Sequence, residues 1–327
     1  MRIASHIQAI QTPPITEVKS WIAGRDFPAE KPLIDLCQAI PNYPPPAELR
    51  NHLKRQLDDE QTFKYSPDEG LSEVRQAVCD WYQRRYYSAP NPAQLCLTIG
   101  ASQAFWLAIS STCQAGDEVI VQLPAYFDHP MGLQALCVTP VFAPFQEDQA
   151  GLPSTEAIAA LITPKTRAIL LVTPSNPTGA VIPTDQLEQL LLLAQANNIA
   201  LILDETYNSF IDSPPHTLFQ RPDWAQNLIH LASFGKTFAL TGLRCGALIG
   251  SEELIAQCLK IQDSMAVCQP RPAQQALQFG CQNLDHWIEQ NAQQMQKRHD
   301  SFRNSFLTSN SRFQLVASGS FFAWFMH

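Results

Sequence analysis

The sequence predicts an α/β fold, a mostly parallel sheet covered by helices on both faces. Short continuous apolar runs such as A-I-L-L-V (168–172) and A-L-I-L (200–203) alternate with amphipathic helical segments. That is the pattern of strands buried on both faces and joined by crossover helices. Three of the runs end in polar clusters, which a parallel sheet would gather at one edge, where ligands bind. The 327 residues, 45% hydrophobic and 16% charged, have an ordinary globular composition and are enough for two structural units.

Residues 1 to 45 are proline-rich and weakly periodic, and they read as an arm, with a short strand expected at Ile34–Leu36. Pro41 to Pro46 cannot be helical, because successive prolines exclude it. A helix is expected over 47–57, a loop over Tyr65–Gly70, and a second helix from Leu71 with Ser72 as its cap. Strands follow at Leu95–Ile99 and Glu118–Gln122. After the first, Gly100-Ala101-Ser102 makes a tight turn into a helix, leaving free N–H groups that suit an anion. After the second comes L-P-A-Y (123–126) and a helix from Asp128; Asp128 and His129 fit either a pocket wall or that first helical turn. Further strands are expected at 138–142, 167–172, 199–203 and 228–232, with helices at 154–162 and 184–197. Beyond Gly250 the pattern predicts helix over 251–263, a break at 268–272, helix over 273–308, and short strands at 313–316 and 321–325.

The most informative stretch is S-F-G-K-T-F-A-L-T-G-L-R-C-G, Ser233 to Gly246. Its glycines permit tight turns and close backbone approach. A lysine there can form a Schiff base, and an arginine eight residues on can fork onto a phosphate. It is not a nucleotide-binding P-loop, since His230 stands where that motif needs a glycine. Asp204 follows A-L-I-L directly; buried, it needs a partner, and as a helix cap it would need none.

Other classes are excluded or disfavoured. A net charge of −8 argues against a nucleic-acid or anionic-membrane surface. No run of 18 apolar residues occurs, and the start lacks a signal-peptide core. Nine scattered cysteines without C-x-x-C fit reduced thiols, and the histidines have no metal spacing. A cytoplasmic protein without a metal is expected.

The clusters, in this order, resemble the class I/II aminotransferases (aspartate aminotransferase-like), fold-type-I pyridoxal-phosphate enzymes, from Ile34 onward. Cys245 is the one departure in the lysine stretch, where a small aliphatic residue is usual. The resemblance implies a large domain (46–262) and a small one, incomplete here, built from 263–327 with the arm 1–45. It implies transamination between an L-amino acid and a 2-oxo acid, with Lys236 as Schiff base and proton-transfer base. Asp204 would pair with the pyridine nitrogen, Tyr207 and Asn176 with the ring oxygen, and Tyr126 would stack on the ring. Ser233, Arg244 and the amides of Ala101 and Ser102 would hold the phosphate. Tyr65 would reach the phosphate of a partner in a homodimer, and Ala39, with Asn176, would contact substrate.

In that family G-S-F-F-A-W opens the small domain, whose later arginine grips the substrate carboxylate; here no arginine follows Arg312. A C–S β-lyase or decarboxylase of the same fold, or a catalytically impaired cofactor-binding fragment, are the alternatives.

Overall fold

The computed structural model describes residues 1–149 and 151–327. Seven strands form the main sheet: β1 (Leu95–Ile99), β2 (Glu118–Gln122), β3 (Thr139–Ala143), β4 (Thr166–Val172), β5 (Ala200–Asp204), β6 (Leu228–Ser233) and β7 (Cys245–Ile249). Their spatial order is β1-β7-β6-β5-β4-β2-β3. All neighbours pair in parallel except β7, which is antiparallel to both β1 and β6. A separate antiparallel hairpin joins β8 (Gln314–Gly319) to β9 (Phe322–Met326).

The apolar runs are continuous because both faces of each central strand are buried. Along β4, Ile169 and Leu171 enter one core while Ala168 and Leu170 enter the other. On β5, Leu201 and Leu203 face the first core and Ile202 the second. Period-two alternation divides one run between two cores, each buried leucine contributing about 2 kcal/mol. The helix Gly100–Thr112 lies over the second core, and the helices Ser72–Tyr86 and Thr184–Ala196 over the first.

The structure alters the expected elements in five places. The stretch 273–308 forms two helices, Arg271–Asn283 and Asp285–Leu307, rather than one. Ile34–Leu36 forms no strand; both end residues are exposed and no sheet edge pairs with them. The arm instead carries two helices, Ser5–Gln8 and Pro14–Ile22, the second started by a proline at its first position, where a missing N–H costs nothing. Ser72 is not a cap but the first helical residue, its hydroxyl turned to Glu73. β7 (Cys245–Ile249) is a strand to which the sequence reading assigns no element. Cys245 is fully buried on β7, with Sγ 3.4 Å from the carbonyl of Ala273.

Candidate active site

Because β1, β2, β4, β5 and β6 run the same way, their carboxyl ends lie along one edge, and β7 begins there. A cavity of about 1350 Å³ opens at this edge, and every site residue expected from sequence lines it except Tyr65. The antiparallel return of β7 has a specific consequence. Lys236 follows the end of β6 and Arg244 precedes the start of β7, so both cations come to the same edge.

Lys236 Nζ donates to the carbonyl of Ala39 at 2.8 Å. The Tyr207 hydroxyl donates to the same oxygen at 3.3 Å. The arm therefore reaches the amine through the Ala39 carbonyl. Burial, assisted by the charge of Arg244, lowers the Lys236 pKa to about 8. Burial, then Asp204, pushes the Tyr207 hydroxyl up, so it stays a donor.

Asp204 is 4% exposed at the end of β5 and starts no helix. One carboxylate oxygen accepts from the Thr206 N–H and hydroxyl, at 3.1 and 2.7 Å. The other lies 3.3 Å from His129 Nε2. His129 is thus both a first-turn residue of the helix Asp128–Ala135 and part of the site. Its ring stacks on Phe105 and meets the Tyr126 ring edge-on at 5.2 Å. The Tyr126 hydroxyl donates to Asp128.

The helix start and Arg244 form a second feature. Gly100 has φ +73°, and a Cβ there would come within 2.4 Å of the Arg244 guanidinium. A Cβ on Gly246, paired opposite Thr98, would strike the Gly100 backbone at 2.4 Å. These two glycines let the guanidinium approach the N-terminus of the helix Gly100–Thr112, where Ala101 and Ser102 carry free amides. Arg244 itself adopts the left-handed region, φ +57° and ψ 52°. Gln269 donates to its carbonyl at 3.2 Å, and its own Nη1 donates to Thr241 O at 3.1 Å.

Tyr65 lies outside this chain's cavity, 80% exposed. Its loop is held by Arg271, which donates to the carbonyls of Lys64 and Tyr65, each at 2.9 Å. Two cavity features escaped the sequence. Arg298, on the helix Asp285–Leu307, lines the cavity and donates to Asn42 Oδ1 at 2.9 Å. The carbonyl of Ala39 binds the lysine, a backbone contact that no side-chain motif could signal.

Behind the site, Glu205 is fully buried, and one of its oxygens pairs with His216 Nε2 (3.1 Å) and accepts from the Tyr86 hydroxyl (2.9 Å). His230 Nδ1 lies 2.8 Å from the same oxygen as an ion-pair contact without hydrogen-bond geometry. Tyr82 OH lies 2.7 Å from His230 Nε2, and the Leu218 N–H donates to His216 Nδ1. Burial alone would raise the Glu205 pKa, but the two histidines outweigh it and hold the carboxyl well below its usual range.

An amine of lowered pKa, a buried carboxylate and a guanidinium beside a helix N-terminus define a site for a phosphorylated carbonyl compound. Comparison with known proteins agrees. Residues 31–326 match the model of "Aminotransferase class I and II", and the chain belongs to that family, whose members depend on pyridoxal phosphate. The aspartate aminotransferase of Pyrococcus horikoshii is 30% identical over 231 residues, covering 70% of this chain and 58% of the relative. That of Sulfolobus acidocaldarius is 28% identical over 239 residues, covering 72% and 60%. The matched part of the chain therefore spans about three-fifths of those relatives' length. The solved aspartate aminotransferase of Thermus thermophilus with maleate superposes with a TM-score of 0.87 at 24% identity, over 98% of this chain and 83% of that one. Among the described residues no helix is long and apolar enough to cross a membrane.

The residues present fit pyridoxal phosphate. The side-chain-free Gly100 cradle beside Arg244 suits its phosphate, Asp204 its ring nitrogen, and the Lys236 amine its aldehyde.

Proposed function

We propose that this chain carries the cofactor site of a transaminase that exchanges an amino group between an L-amino acid and a 2-oxo acid. When bound, pyridoxal phosphate supplies an aldehyde for the amine and a ring that withdraws electrons from the substrate α-carbon. Arg244, Ser233 and the amides of Ala101 and Ser102 hold the phosphate by charge-assisted hydrogen bonds. Asp204, kept in place by Thr206 and His129, holds a proton at the ring nitrogen. Tyr207 and Asn176 donate to the ring oxygen. Tyr126, on the loop after β2 and lining the cavity, would contact the ring of the bound cofactor. Lys236 Nζ would hold the aldehyde carbon, and as a free amine it would move the proton at the substrate α-carbon, a task suited to an amine with a pKa near working pH. The arm meets that amine through the Ala39 carbonyl.

Residues 46–262 act as the cofactor-binding unit, closed by 1–45 and 263–327. The unit works as a homodimer in which the exposed Tyr65 of one copy reaches the phosphate of the other, held on its loop by Arg271.

The observation carrying this reading is that Lys236, Asp204 and Arg244, from separate strand termini, face one cavity in which the amine pKa falls to about 8. The test is the absorption spectrum of the cofactor-loaded protein with a mixture of L-amino acids. Conversion of the aldehyde-form band to the amine-form band, reversed by a 2-oxo acid, is expected. A band that no amino acid alters would overturn the transaminase reading, and release of ammonia or CO2 would replace it with a lyase.

A further inference from the structure

The break between the helices Glu252–Ala266 and Arg271–Asn283 carries Gln269, a glutamine with no exposed surface. Its Nε2 donates to two main-chain carbonyls, that of Thr98 at 2.6 Å and that of Arg244 at 3.2 Å. Thr98 lies on β1, just before the Gly100 turn, and Arg244 is the residue whose guanidinium reaches that turn. One carboxamide therefore ties together the two halves of the cradle at the start of the helix Gly100–Thr112.

The chemistry of the contact fixes its orientation. Both neighbours are carbonyl oxygens, so only the NH2 end of the amide can face them, and it uses both of its protons. Gln269 is itself held. Gln274, equally buried, donates to the Gln269 carbonyl and to Ser66 Oγ, each at 2.7 Å, and accepts from the Leu71 N–H at 2.8 Å. Arg244 needs such a tie, because φ +57° is a conformation that a residue with a side chain keeps only where its surroundings impose it.

We infer that Gln269 is a positioning residue for the cofactor's phosphate; this rests on the reading that Arg244 and the helix start hold that phosphate. Gln269 is not part of the described cavity lining, so it acts through Arg244. Without the carboxamide, two buried carbonyl oxygens lose their shared donor. The Arg244 backbone is then free to leave the left-handed region, and its guanidinium loses its alignment with the Ala101 and Ser102 amides.

The experiment titrates the full chain, freed of cofactor, with pyridoxal phosphate and with pyridoxal, which lacks the phosphate, following the aldehyde-form band. Gln269→Met, similar in shape but without the donor, should weaken pyridoxal phosphate by about tenfold, the worth of one hydrogen bond, and leave pyridoxal unchanged. Gln269→Glu, whose carboxylate donates to neither carbonyl, should do the same. With Arg244→Met already in place, Gln269→Met should add nothing, because the two residues act as one unit. A purely structural role would instead weaken both ligands together in every background. Equal losses for the two ligands, no loss in either variant, full additivity with Arg244→Met, or failure of both variants to fold would overturn the inference and leave the phosphate reading standing. Arg244→Met weakening pyridoxal and pyridoxal phosphate alike would overturn that reading and the inference with it.

Discussion

The ionisation of Lys236 is the most direct physical test of the site. An ordinary lysine, with a pKa of about 10.4, is only about 0.4% free amine at pH 8. Burial and the nearby guanidinium of Arg244 bring Lys236 to about 8, where half is free. The site therefore raises the reactive amine roughly a hundredfold at that pH. Trace labelling of the cofactor-free protein with acetic anhydride from pH 6 to 11, read by mass spectrometry of the Lys236 peptide against a model lysine peptide, measures this directly. The expected midpoint lies near pH 8, and Arg244→Met should move it upward by removing a repelling charge. A midpoint at 10 or above would refute the reasoning, because it would mean that the amine is solvated or paired with an anion. The linkage has a definite sign. A lysine whose folded pKa is lowered binds its proton less well in the native state. Its contribution to stability is therefore least below pH 8 and grows as pH rises from about 8 toward 10.4.

Three further perturbations follow from the packing. Gly100→Ala would drive a Cβ into the Arg244 guanidinium at a left-handed backbone position. Cofactor affinity, measured by equilibrium dialysis, should fall roughly ten- to hundredfold, the worth of one charge-assisted hydrogen bond. Glu205→Leu leaves His216 and Tyr86 without their acceptor and His230 without its ion-pair partner, and should cost about 3–5 kcal/mol in urea unfolding. Because the folded Glu205 pKa is depressed, the gap should be full above the unfolded carboxyl value of about 4.3 and shrink as pH falls toward the folded one. A constant gap across that range would contradict the charge assignment. Gly179→Ala would place a Cβ 2.3 Å from the Gly319 nitrogen. The β8–β9 hairpin should lose its seat, seen as faster proteolysis near Gly319 and altered Trp324 fluorescence, with the main sheet retained.

The sequence by itself determined six of the seven strands of the sheet and ten of the residues that line the cavity. Strand burial writes itself into local composition, since both faces of β4 and β5 must be apolar. A lysine, an arginine and their glycines fall within one short stretch whose spacing is visible without a fold. Tertiary structure decided the rest, through contacts between groups far apart in the chain. β7 turns back antiparallel between β1 and β6, and that return brings Arg244 alongside Gly100. His129 meets Asp204 across the ends of two strands. The Ala39 carbonyl, an atom every residue possesses, settles on Lys236 from 197 positions away. Arg298 reaches the cavity because its helix packs beside the arm that carries Asn42. Local residue types encode which atoms can react; only the closing of the chain brings a backbone oxygen, a distant histidine and a distant arginine around them.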